Sequence, residues 1–196
     1  RAIRLCFAEK ELFLTQLRAA LRASVYGPLQ IMFPMVGSLE DIRKAKEYLN
    51  LAKEQLKERK QQFDEQIRIG IMIEIPAIAL IADLAAEEVD FASIGSNDLT
   101  QYLSAADRMN PEVAAYYKSD STAMLRLLGF VFREFSKREK EISVCGEMAG
   151  NPETAQLLVG LGARKLSMSS GNIAGVKAKL AECTLQELTA LAEKKL

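Results

Sequence analysis

The chain has 196 residues, 49% of them apolar and 27% charged, and its 26 basic residues are balanced by 26 acidic ones, so the net charge is zero. This is the composition of a globular domain with one sizeable core, and without an unopposed Lys/Arg block it argues against bulk nucleic-acid binding. No apolar run approaches a membrane span, the N-terminus lacks a signal-peptide pattern, and three scattered cysteines with no Cys-x-x-Cys favour a reducing cytoplasm over a disulfide framework.

In chain order, Arg1-Ala2-Ile3-Arg4 reads as the start of a helix, and a further helical pattern covers about 9–23. An apolar run at 29–35 predicts the first strand. Ser38 with Asp41 resembles a capping box, followed by Ile42, Ala45, Leu49, Ala52 and Leu56 at helical spacing. The charged stretch 53–66 reads as the end of a solvated helix and its loop. Further strands are expected at 68–75, 89–95 and 141–145, with a short, weak one at 165–168. Helices fill 77–87, 122–139, 152–161, 172–182 and 184–195. Cys6 and Cys183 fall within helical patterns and read as structural.

Alternating β and α elements imply a parallel sheet with right-handed crossovers. Five strands alone make an open sheet, whereas a closed barrel of this kind needs eight strands and typically about 250 residues. The fold expected is therefore α/β: the later part of a TIM (β/α)8-type barrel, about five βα units, spanning residues 1–196 as one domain.

Three strand ends carry chemistry. Gly70-Ile71-Met72-Ile73-Glu74-Ile75-Pro76 ends on a carboxylate, Ser93-Ile94-Gly95-Ser96-Asn97-Asp98 on an amide–carboxylate pair, and Val144-Cys145-Gly146-Glu147 on a thiol before a glycine turn. In parallel α/β folds, residues just past strand C-termini line the active site. Oxygen ligands without imidazole favour Mg²⁺ or Mn²⁺ at Glu74 and Asp98. Singly, each carboxylate also fits a solvated loop or a helix cap, and Cys145 also fits a small buried hydrophobe; the pairing of acids at consecutive strand ends favours a site. Arg22 and Arg108 could be anion ligands, since guanidinium suits phosphate and carboxylate, although a single arginine is more often a surface charge. The chain has no histidine. No Ser-His or Cys-His nucleophile pair can therefore form within it, and any phosphohistidine chemistry must place its histidine elsewhere.

The segments Arg1-Ala2-Ile3-Arg4, Leu21-Arg22-Ala23-Ser24, Ile31-Met32-Phe33-Pro34-Met35, Ile73-Glu74-Ile75-Pro76, Ser96-Asn97-Asp98-Leu99-Thr100-Gln101-Tyr102, Asp107-Arg108-Met109-Asn110 and Cys145-Gly146-Glu147-Met148-Ala149-Gly150 follow one another along the whole chain. Together they resemble the C-terminal phosphoenolpyruvate-binding barrel of the Enzyme I family, the phosphoenolpyruvate–protein phosphotransferases of the bacterial sugar phosphotransferase system. The resemblance implies that Glu74 and Asp98 bind Mg²⁺, that Asn97 helps hold the phosphate, and that Arg1, Arg22 and Arg108 hold phosphoenolpyruvate. It implies that Cys145 is the acid that protonates C3 of the pyruvate enolate. A thiol with a pKa near about 8.5 is mostly protonated at neutral pH and can serve.

The family passes the phosphoryl group to a histidine on a separate N-terminal domain, and then to a small histidine-containing phosphocarrier protein, which fits a chain without histidine. The resemblance further implies a cytoplasmic homodimer that releases pyruvate, binds no nucleic acid and inserts in no membrane. It also implies three N-terminal strands before Arg1 that are missing here, one supplying another phosphate-binding arginine. Tyr116-Tyr117-Lys118-Ser119-Asp120-Ser121 departs from the family's Tyr-x-Pro-x-x-Pro-like stretch. Three other readings stay open on the residues: a non-catalytic module for phosphoenolpyruvate binding or dimerisation, an enzyme like pyruvate phosphate dikinase or phosphoenolpyruvate synthase, and a metal-dependent carbon–carbon lyase.

Overall fold

Apolar runs alternating with amphipathic helices build a single parallel sheet. The computed structural model describes residues 1–196, with strands β1 (Gln30–Phe33), β2 (Arg68–Ile73), β3 (Phe91–Gly95), β4 (Glu141–Cys145) and β5 (Leu166–Ser167). They lie in the order β1-β2-β3-β4-β5, each parallel to its neighbour. Neighbours in the sheet are neighbours in sequence, as in the wall of a barrel, but the sheet does not close, and β1 and β5 are its edges.

Period-2 alternation sorts the side chains between two faces. Phe33, Ile71, Ile73, Ala92, Ile94 and Val144 point to the helix-covered face and belong to a core of 38 buried residues. The opposite, concave face carries Gln30, Met32, Met72, Ser93, Ser143, Cys145 and Ser167 around a hollow of about 670 Å³. On that face the Ser93 and Ser143 hydroxyls pair across β3 and β4 at 2.9 Å.

The helices are α1 (Ala2–Ala8), α2 (Lys10–Ala23), α3 (Leu39–Glu58), α4 (Pro76–Leu80), α5 (Ala82–Glu88), α6 (Ser96–Ser104), α7 (Thr122–Lys137), α8 (Glu147–Gly150), α9 (Pro152–Gly160), α10 (Ser170–Ala181) and α11 (Leu185–Lys195). None is long and apolar enough to cross a membrane. The start of α3 is capped as expected on one side, with the Asp41 N–H donating to Ser38 Oγ at 3.2 Å. The return bond differs: the Asp41 carboxylate accepts from the Gly37 N–H at 2.9 Å, one residue beyond the capping-box position. In the last turn of α3, Lys57 pairs with Glu65 on the surface at 3.0 Å, consistent with a solvated helix end.

Several boundaries move for physical reasons. The first strand stops at Phe33, because Pro34 has no N–H to donate and Met35 takes a left-handed φ of 56°. The helix expected at 77–87 is two helices broken at Ile81 (φ −115°, ψ 34°). Two helices, α6 and α8, arise where the sequence pattern predicts only strand-end motifs.

Candidate functional site

Glu74 follows directly on β2, and the sheet register brings it level with Gly95 on β3, which in turn pairs with Cys145 on β4 and, through it, with Ser167 on β5. The top layer of the concave face is therefore a carboxylate, a glycine, a thiol and a hydroxyl. Asp98 joins them from the first turn of α6, whose axis starts at the end of β3. All three predicted strand ends converge at the C-terminal rim of the sheet.

Glu74 is only 5% exposed. Its Oε1 accepts the Met35 N–H at 2.6 Å, a bond made possible by the left-handed turn at Met35. Burial pushes the Glu74 carboxyl above the usual range, the Met35 bond opposes this, and the negative charge of Asp98 raises it further. Two carboxylates held this close repel unless a cation lies between or beside them. In this structure Arg1 partly serves: its Nη2 donates to both Asp98 oxygens at 3.2 Å and to Met35 Sδ at 3.6 Å. The Arg1 side chain is 62% exposed, so the pair is open to exchange with solvent ions or ligands.

Asn97 is fixed at two atoms. Its Oδ1 accepts the Glu147 N–H at 3.0 Å, and its backbone oxygen accepts the Tyr117 hydroxyl at 3.2 Å. Neither bond uses the Asn97 Nδ2, which is left as a donor. The turn after β4 is built for this contact. Gly146 has φ 105°, and a Cβ there would stand 2.5 Å from Ser96 Oγ and 2.8 Å from Asn97 Oδ1, so glycine is needed for both conformation and space. Ser96, itself buried, donates to the Cys145 carbonyl at 2.7 Å and ties the β3 and β4 ends together.

The Cys145 thiol donates to the Ile94 carbonyl at 3.3 Å. A carbonyl acceptor needs the S–H form, so this contact suits a protonated thiol half-buried at the rim of the concave hollow. The hollow itself runs down the sheet face and reaches the chemistry only through Cys145; Glu74 and Asp98 stand above it.

The arginines divide. Arg1 lies in the site. Arg108 stands on the loop after α6, its N–H bonded to Gln101 Oε1 at 3.2 Å and its charge acting on the Tyr117 hydroxyl. Arg22 does not join them. It ends α2 beside Gln61 and Gln62, on the connection that enters β2 from its N-terminal end. Strand-end chemistry lies at the other rim, and the structure does not bring Arg22, expected to hold substrate, to it. No sequence motif marks Tyr117 for this site, because its contact is a bond across 20 residues.

No group of three or more Cys, Asp or Glu side chains is gathered to enclose a metal with protein ligands alone. Mg²⁺ does not require one, since it is commonly held by one or two carboxylates together with substrate phosphate and water. Glu74 and Asp98 provide two carboxylates with oxygen donors only, and the one protein N–H bonded to Glu74 is that of Met35.

Residues 1–185 match the family model described as PEP-utilising enzyme, PEP-binding domain, PEP being phosphoenolpyruvate. The chain is 48% identical over all 196 residues to a phosphoenolpyruvate-protein phosphotransferase of Listeria monocytogenes, and 46% identical over 194 residues to one of Bacillus subtilis. It covers 100% and 99% of itself in these matches but only 34% of each relative, so it spans about a third of the length of the curated relatives it matches. Among solved structures, a citrate lyase from Burkholderia xenovorans LB400 superimposes with a TM-score of 0.60 at 16% identity, covering 93% of this chain and 60% of that one. That likeness shows the fold alone, an α/β architecture of the TIM-barrel kind. With its strand-end motifs assembled at one rim and the family model matched almost end to end, the chain belongs to the PEP-utilising enzymes, in their PEP-binding domain.

Proposed function

We propose that this chain is the phosphoenolpyruvate-binding part of a phosphoenolpyruvate–protein phosphotransferase. In this reading it holds phosphoenolpyruvate at the C-terminal rim of the sheet while the phosphoryl group passes to a histidine on the protein's own N-terminal domain. From there it passes to a histidine-containing phosphocarrier protein, and pyruvate is released. The observation that supports this most is the convergence of Glu74, Asp98, Asn97, Arg1 and Cys145 at one rim of a chain that has no histidine of its own.

Each residue has a distinct task. Glu74 and Asp98 hold Mg²⁺, which when bound stabilises negative charge on the phosphoryl and enolate oxygens. Arg1 and Arg108 oppose the phosphate and carboxylate of the substrate, for which a planar guanidinium is suited. Asn97 donates through Nδ2 to a phosphate oxygen. When the bond between phosphorus and the enol oxygen breaks, a bond forms from phosphorus to the histidine nitrogen, and the electron pair left on oxygen makes an enolate. Cys145 gives its proton to C3, the C2–O bond becomes a carbonyl, and the resulting thiolate is reprotonated from water. The homodimer, the phosphocarrier partner and the cytoplasmic location belong to the same proposal and are supported by family resemblance.

The test is to incubate the full-length protein with Mg²⁺ and phosphoenolpyruvate labelled on phosphorus. The proposal expects one labelled histidine outside residues 1–196 and one pyruvate per label. Absence of label, or label fixed on a residue of this chain, contradicts it.

A further inference from the structure

Between α6 and α7 the chain makes a long connection, residues 105–121, containing only a short 3₁₀ turn at Ala114–Tyr116. Loops this long without regular structure are uncommon in compact domains and usually functional. Two of its side-chain bonds are internal: Asp107 accepts from the Met109 N–H at 2.9 Å and Asn110 from the Glu112 N–H at 3.0 Å. Its outer side is bare, with Met109 81% and Tyr116 71% exposed. Apolar burial therefore contributes little to holding it.

What fastens it to the site is a pair of contacts with α6. At the near end, the Ala106 and Arg108 N–H groups bond to Gln101 at 3.2 Å each. At the far end, the half-buried Tyr117 hydroxyl donates to the backbone oxygen of Asn97 at 3.2 Å, one residue before Asp98. Burial pushes the Tyr117 phenol up, Glu147 adds to this and Arg108 opposes it, so the hydroxyl is a donor at any physiological pH and lies within the field of Arg108.

We infer that Tyr117 is a positioning residue: its bond to Asn97 clasps the 105–121 loop onto the first turn of α6, and so sets where Arg108 stands relative to Asn97 and Asp98. The inference rests on the proposed function, because the benefit of placing Arg108 is a firmer grip on the substrate phosphate. A loop tied only at Gln101 would leave Arg108 to search for the ligand, and ordering it would weaken binding.

The test uses the full-length protein with Mg²⁺ and compares Tyr117→Phe, Arg108→Ala and the double variant. Phenylalanine keeps the ring and removes only the donor. Tyr117→Phe is expected to weaken phosphoenolpyruvate binding about fivefold, as for one net hydrogen bond, to leave kcat within about twofold, and to speed amide exchange across 108–116 with an unchanged melting temperature. In the Arg108→Ala background it should cost nothing further, since coupled residues are not additive. Unchanged affinity in Tyr117→Phe, or an effect that adds in full to Arg108→Ala, overturns the inference. Failure of the wild-type protein to bind phosphoenolpyruvate would overturn the functional reading instead. The exchange measurement decides the clasp in either case, because unchanged protection across 108–116 contradicts it.

Discussion

Gly95 and Glu74 are packed so closely that a Cβ on residue 95 would stand 2.9 Å from both the Cβ and the Oε2 of Glu74, and 3.1 Å from Met72 Sδ. The φ of Gly95 is −82°, open to any residue, so the demand for glycine here is one of space alone. Glu74 thus has its carboxylate pressed over the end of β3, toward Asp98. Gly95→Ala must push the Glu74 backbone or side chain aside. It is expected to lower stability by about 1–3 kcal/mol, the usual cost of overpacking, and to weaken Mn²⁺ binding as well. Urea unfolding and a Mn²⁺ titration check both; a variant that matches wild type in each shows that Glu74 is not held by this contact.

Cys145→Ala in the full-length enzyme should lower kcat by about 10²–10⁴-fold, the range of a general acid, while KM for phosphoenolpyruvate moves little. A proton donor acts on the enolate, which exists only after phosphoryl transfer, so the ground state does not register its loss. Steady-state kinetics showing a raised KM at normal kcat would make Cys145 a binding residue.

Away from the site, Glu134 on α7 is a buried carboxylate bonded to Lys137 at 2.8 Å and to Arg138 at 3.1 Å, and Arg138 reaches Glu87 on α5 at 3.2 Å. Lys137 first, and Arg138 with it, hold the Glu134 carboxyl below the usual range. A carboxyl lowered in the folded state contributes stability that is present above its unfolded pKa of about 4.3 and is lost as pH falls through the lower folded value. Glu134→Gln should therefore lower the melting temperature at pH 7, with the gap closing at acid pH. Melting curves across pH 3–7 showing a constant gap would mean that packing, and not charge, accounts for the loss.

The strands were legible because apolar runs bounded by turns mark them, and the order of the sheet follows from successive βα units with right-handed crossovers. The strand-end residues Glu74, Asn97, Asp98 and Cys145 were legible for the same reason: strand direction tells which rim they reach. Helix α6 was not, since Ser96–Ser104 opens on polar residues and its apolar face, Leu99 and Leu103, is short. The break at Ile81 carries no proline or glycine to announce it. The place of Arg22 was not legible, because a motif fixes position in the chain but not which end of a helix faces the site; α2 ends at the opposite rim. Tyr117 was illegible because its contribution is one long-range hydrogen bond to a backbone oxygen.

The proposed function needs Glu74 and Asp98 to form one Mg²⁺-dependent substrate site, and calorimetric titration of phosphoenolpyruvate into the full-length protein, with and without Mg²⁺, tests it most directly. Wild-type protein should bind phosphoenolpyruvate tightly only with Mg²⁺ present, and Glu74→Ala and Asp98→Ala should each weaken that binding by more than about tenfold, at least what loss of an outer-shell partner does to a metal site. Metal-independent binding in the wild type, or unchanged affinity in both variants, would contradict the assignment.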